Sequence, residues 1–236
     1  MFCLEIHFFA EMASFRIPET HTFQQTLPLP SVTALIGMVG AAAGLSFADA
    51  MKFCREENQL GFGVIGTNNG RVRDLWKYRK IKSGEVISAV LLREYLIDLD
   101  LRMYITSGEE SIVNQIRTNF LDPYYALTAG SSDLLYKIKS VSKVFSIIPE
   151  RVRDFKDTVI PGNQSGNFES NIDIKKIPLM RDIYAPTVQL LPTEFEFHGE
   201  ERRVKSRKPF TFVDTPILLK QPVTGFQIDG RSVALI

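Results

Sequence analysis

Residues 31–45 read SVTALIGMVGAAAGL, an apolar run that carries glycine at 37, 40 and 44. Spacings of three and four put these glycines on one helix face. A glycine inside a helix costs about 1 kcal/mol relative to alanine. The segment is therefore a helix only where something packs closely on that face. The expected neighbour is a sheet, with a ligand backbone as the alternative. Leu27-Pro28-Leu29-Pro30 leads into the run, and Ser31 is placed to cap it. A helix start presents unpaired N–H groups and a partial positive charge, which suits a phosphate. Just upstream, a strand-like segment ends in Phe15-Arg16. A polar loop with His21, Thr22, Gln24, Gln25 and Thr26 follows it. A cation, amides and hydroxyls thus lie beside a helix start, either as an anion site or as a solvated loop.

The order of elements suggests an α+β chain. Residues 2–15 alternate with period two, Phe2, Leu4, Ile6 and Phe8 against Cys3, Glu5 and His7, so they form a strand with one buried face. A second helix is expected over 47–57 and a strand over 61–66. Asn68-Asn69-Gly70 signals a turn. Residues 71–94 then read as a β-hairpin or projecting arm that turns at Ser83-Gly84. Strands around 91–97 and 101–105 complete a sheet. Residues 108–120 form a short amphipathic helix, with Ser107 able to cap it and Glu110 at the third position. The β-α-β-arm-β-α pattern is that of a ferredoxin-like, RRM-type domain. It is assigned to 1–145, followed by a smaller β-rich part over 146–236. In that second part, 134–148 holds one or two strands and 157–176 reads as a surface loop. From Ile177 short strands recur, at 193–198, 201–206 and 210–213, with a hairpin turn at Gly199.

Catalytic and cofactor classes find little support. His7, His21 and His198 fit no HExxH, GxSxG or metal-ligand spacing. There is no P-loop and no dinucleotide fingerprint, so neither a cofactor nor a metal is expected. Cys3 and Cys54 are too few for a disulfide framework or a structural zinc site. They read as small buried hydrophobes in a reducing cytoplasm. Glu5 and Glu11 interrupt the first apolar run, and 34–45 is too short to cross a bilayer, so no membrane role is expected.

The net charge is only +1, so nucleic-acid binding requires a local basic patch. One lies in the arm. Arg71, Arg73, Lys77, Arg79, Lys80 and Lys82 stand against Asp74 alone, and Trp76 and Tyr78 interleave with them. Cations follow phosphates and aromatic rings stack on unpaired bases. A protein contact on the opposite face of the arm is compatible with this, because side chains alternate. Thr128-Ala129-Gly130-Ser131-Ser132-Asp133 reads as a phosphate-binding nest or as a plain turn capped by Asp133. A third basic run, Arg202, Arg203, Lys205, Arg207 and Lys208, adjoins Glu200 and Glu201 and reads as an exposed hairpin.

Phe15-Arg16, Pro18, Thr26, Leu27 to Pro30, Thr33 to Gly37 and Gly40 to Ala42 together resemble the N-terminal signature of the fifth CRISPR-associated (Cas) protein family. Arg93 to Ile105 and Pro123 to Leu135 resemble its central strand and the glycine loop after it. The resemblance implies an RRM-like domain of the RAMP superfamily and a subunit of a type I CRISPR surveillance complex (Cascade). Such a subunit holds the 5′ handle of the CRISPR RNA. Its hairpin thumb packs on the neighbouring backbone subunit, and the large subunit is a further expected partner. On this reading the RNA is bound by Arg16, His21, Thr22, Gln24, Gln25, Thr26, Ser31 and Thr33. Arg71, Arg73, Trp76, Lys77, Tyr78 and Arg79 of the arm also bind it, with Gly130, Ser131 and Ser132 lining the same groove. One subtype of the family cuts precursor RNA with a Tyr, Lys and His set. No Lys-His pair stands here, so a non-catalytic role is expected. The alternative is a metal-independent endoribonuclease using His21 or His198.

Overall fold

Alternation in the first residues yields β1 (Phe2–Ala13), with Leu4, Ile6, Phe8 and Ala10 all buried on one face. The computed structural model describes residues 1–82, 84–170, 184–199 and 201–236. After β1 the chain turns at Ser14, whose N–H bonds to the Ala129 carbonyl at 2.9 Å. The polar loop contains three two-residue strands: β2 (Phe15–Arg16), β3 (Phe23–Gln24) and β4 (Thr26–Leu27), with β2 paired to β4.

The glycine-bearing helix is α1 (Val32–Ala43). The Ser31 hydroxyl accepts the Ala34 N–H at 3.3 Å, and Gly44 ends the helix in the left-handed region at φ 72°. The expected close approach to a sheet is not what these glycines serve. A Cβ on Gly40 would meet the Ala50 Cβ of the next helix at 2.7 Å, and one on Gly44 would meet the Tyr124 ring at 2.8 Å. Nothing lies within 4 Å of a Cβ on Gly37. The side of α1 that faces the core carries full-sized residues instead, Val32, Leu35, Ile36 and Val39. The chain after the third helix also closes the end of α1. There the Tyr124 and Tyr125 N–H groups donate to the Ala42 and Ala41 carbonyls at 3.0 and 3.1 Å. The second helix is α2 (Phe47–Met51), continued by a π-helical segment over Lys52–Glu57.

β5 (Gly61–Thr67) leads through the Asn-Asn-Gly turn into β6 (Arg71–Lys82), and β7 (Glu85–Ser107) returns. Two strands were expected where β7 runs unbroken for 23 residues. Asp98 adopts φ 50°, which lets the strand bend while its pairing with β1 continues from Leu99–Ala10 to Ile97–Met12. The third helix, α3, spans Glu110–Leu121. Ser107 does not cap it. Its hydroxyl accepts the Glu109 N–H at 3.1 Å, one residue too early, because β7 runs to Ser107 itself.

β8 (Lys137–Val141) lies beside β1, and β9 (Phe145–Ser146) also pairs with β1. The order β5-β7-β1-β8 is antiparallel throughout, and α1 and α3 pack on the face that carries Leu4, Ile6 and Phe8.

The remaining strands are β10 (Glu150–Phe155), β11 (Thr158–Pro161), β12 (Phe168–Ser170), β13 (Thr187–His198), β14 (Glu201–Val213), β15 (Ile217–Ile228) and β16 (Arg231–Ala234). The stretch 157–176 is thus not simply a loop. Thr158, Val159 and Ile160 are buried, and the Thr158 hydroxyl donates to the Val64 carbonyl at 2.6 Å. Its last residues, 171–176, lie outside the described residues, as do Ile177, Ser83 of the arm turn and Glu200. The segments 201–206 and 210–213 are one strand, β14, which forms a long hairpin with β13 around Gly199. β11 joins β5 through Thr158 and Ile65 and extends the main sheet to β14 and β13. A second sheet, β10-β15-β12 with β16 beside β15, covers part of the other face of β1, β5 and β7. There Phe226 and Val233 meet Cys3, Ile65 and Tyr104.

Candidate nucleic-acid interface

Two basic surfaces emerge, a groove at the start of α1 and the projecting arm. The groove has a volume of about 470 Å³ and lies between β2, the start of α1 and the β13–β14 hairpin. Arg16, Ser31, Thr33 and Gly130 line it, as the sequence suggested. Arg202 and Arg207 line it too, with Phe15, Phe47 and Phe195, and among the described residues no carboxylate does. Arg16 is exposed and donates through Nη2 to the Thr20 carbonyl at 3.2 Å, and its other donors meet no acceptor among the described residues. Ser31 and Thr33 share a hydroxyl hydrogen bond of 3.0 Å at the helix start. Arg207 pairs with Glu19, tying the hairpin to the polar loop.

Gly130 enters this wall for a steric reason. Its φ is 94°, and a Cβ there would stand 2.0 Å from the Ser14 carbonyl oxygen. Ser131 and Ser132 sit outside the groove, in a turn closed by the Leu134 N–H donating to the Ser131 carbonyl at 3.0 Å. A hydrogen bond from the Ser131 side chain, a backbone hydrogen bond and nearby Arg93 together hold the Asp133 carboxyl below its usual range.

In the polar loop, Thr26 is buried and its hydroxyl is fully engaged. It accepts the Phe15 N–H at 2.8 Å and donates to the Leu27 carbonyl at 2.9 Å. Gln24 accepts from Arg93 Nε at 3.2 Å, and the Thr22 carbonyl accepts the Leu92 N–H at 3.1 Å. His21 and Gln25 are exposed. These residues fasten the loop to β7 as much as they face solvent.

The arm is a regular antiparallel pair from Arg71–Leu96 out to Lys82–Glu85. Its root and its tip differ. At the root, buried Glu94 faces Arg71 at 3.5 Å and Arg73 at 3.8 Å and accepts the Thr26 N–H at 3.2 Å. Arg73 also lies 5.0 Å from the Phe23 ring centre. Farther out, Lys77 and Arg79 are exposed and have no ion pair with any described carboxylate. Leu75, Ile81, Val86 and Val90 share their face and are exposed, while Trp76 and Tyr78 occupy the other face. A two-stranded hairpin bearing this much apolar surface is suited to docking on a partner.

Sequence reasoning missed three arginines. Arg93 stacks on Trp76 at 3.8 Å from the ring centre, and its Nη1 is buried without a hydrogen bond. It joins arm, polar loop and the Asp133 turn, which no local pattern announces. Arg202 and Arg207 read as solvated because only the long β13–β14 pairing carries them back to α1. Among the described residues, no group of three or more His, Cys, Asp and Glu side chains is arranged to hold a metal ion.

A family model described as CRISPR-associated protein (Cas_Cas5) matches residues 3–154. Among solved structures, a chain of a CRISPR RNA-guided surveillance complex is 18% identical, with coverage of 93% of this chain and 91% of that one, at a TM-score of 0.57. That similarity is one of fold. A chain of the Type III-B Cmr-beta complex bound to cognate target RNA and AMPPnP is 11% identical over 92% of this chain and 86% of that one. Its TM-score of 0.49 is too low to carry an argument. No curated protein sequence matches.

Proposed function

The chain belongs to the Cas5 family of CRISPR-associated proteins, and on that premise we propose that it is a non-catalytic RNA-binding subunit of a type I Cascade surveillance complex. The observation that carries this reading is the convergence of Arg16, Arg202 and Arg207 on one groove that no described carboxylate lines. Arginine donors suit phosphate oxygens, and the rings in the same wall suit unpaired bases. The groove is the place for the 5′ handle of the CRISPR RNA. The arm reaches the neighbouring backbone subunit with its apolar face, and Lys77 and Arg79 meet the RNA at that boundary. The antiparallel β5-β7-β1-β8 order with two helices on one face supports a ferredoxin-like N-terminal domain over 1–145.

The histidines support a non-catalytic role. His7 is tied to Asp100 at 2.8 Å on the sheet, and His198 sits at a hairpin tip beside Glu196 at 3.9 Å. Neither lines the groove, and neither does His21. The test is binding and cleavage of a labelled repeat RNA in EDTA by the whole chain. Binding without cleavage, weakened by Arg16→Ala, is expected. Site-specific cleavage lost in His21→Ala or His198→Ala would replace this reading with the nuclease one.

A further inference from the structure

We propose that the groove holds one unpaired RNA base on a platform made by Phe47, Phe195 and Arg202. This rests on the RNA-binding reading above. Phe47 opens α2, Phe195 lies on β13 and Arg202 on β14, so three elements bring the platform together. The Phe47 and Phe195 ring centres are 5.6 Å apart at 74°, and Phe197 lies 6.2 and 6.4 Å from them. The Arg202 guanidinium carbon stands 4.9 Å from the centres of both Phe47 and Phe195.

Phe47 and Phe195 rest on the core but remain partly open to the groove. Arg202 is exposed, and none of its donors meets a described acceptor. Its neighbour Arg203 is held by Glu201 at 3.2 Å, while Arg202 lines the groove. A guanidinium beside aromatic rings offers a stacking surface for a nucleobase, as the rings themselves do. Arg16 and Arg207 in the same wall take the flanking phosphates. Stacking of this kind tolerates any base, so the platform fixes the position of a nucleotide rather than its identity.

The experiment is an abasic scan of the repeat RNA, with each nucleotide in turn stripped of its base, against the unaltered chain and against Phe195→Leu. Leucine keeps an apolar side chain there, and a thermal melt confirms the variant is folded. The expected result is one position whose abasic form binds roughly 5- to 150-fold more weakly to the unaltered chain. In Phe195→Leu that penalty falls below about 2-fold, and Arg202→Gln reduces it in part. Binding that stays tight with a flat abasic profile, or a penalty unchanged in Phe195→Leu, overturns the platform while leaving RNA binding intact. Absence of any RNA binding overturns the functional reading and the platform with it.

Discussion

Replacing Glu94 with alanine tests how the arm is fastened to the body. Its side chain is 7% exposed, and its carboxylate accepts the Thr26 N–H at 3.2 Å and faces Arg71 and Arg73 at 3.5 and 3.8 Å. Breaking a fully buried ion pair by deleting one partner costs about 3–5 kcal/mol. Here Arg71 and especially Arg73 keep contact with water, so the charge part falls to about 1 kcal/mol or less. The buried Thr26 amide loses a charged acceptor, a further cost of about 1.5–3 kcal/mol. The sum is about 2–4 kcal/mol. For a chain of this size it lowers Tm by roughly 4–16 °C. Glu94→Gln keeps an acceptor for Thr26 and loses about half as much. Thermal denaturation followed by circular dichroism measures both. A Glu94→Ala protein melting within about 2 °C of the parent refutes the reasoning, because neither the amide nor the arginines would then depend on the carboxylate.

Other perturbations follow from single contacts. Gly130→Ala forces a Cβ onto the Ser14 carbonyl at a left-handed φ, so it costs about 2 kcal/mol or more. A urea midpoint unchanged from the parent contradicts this. Glu19→Gln releases Arg207 from an exposed pair, so RNA affinity rises up to about fivefold at low salt. Weaker binding would mean that Glu19 organises the loop instead. Burial pushes the Cys3 and Cys54 thiols up to about 12, so a thiol reagent at neutral pH labels neither until the chain unfolds. The sign follows: the folded state prefers the thiol form, so this contribution to stability is complete below the unfolded pKa. It is lost as pH rises toward about 12.

Local pattern made the sheet core and the arm readable. Alternation in β1, the Ser31 cap and the Asn-Asn-Gly turn are each determined within a few residues, and each stands where the pattern places it. The glycines of α1 were legible as a close approach, but their neighbour was not. Ala50 meets Gly40 only because the chain reverses after Gly44. Local pattern divides β7 into two strands, whereas pairing with β1 on both sides of Asp98 keeps the strand whole. The groove was half visible. Arg16, Ser31 and Thr33 are close in sequence, but Arg202 and Arg207 arrive through a hairpin about 170 residues later. Such long-range pairing leaves no local trace, so those arginines looked like ordinary surface charge.

The central claim is that Arg16 and Arg207 of one groove bind RNA phosphates. The most direct measurement is the salt dependence of RNA affinity for the parent and for Arg16→Ala and Arg207→Ala. Each phosphate contact to a single strand contributes about 0.7 to the slope of log affinity against log salt. The account predicts that each substitution weakens binding and makes the slope shallower by about 0.7. Affinity and slope that stay at the parent values in both variants would contradict it.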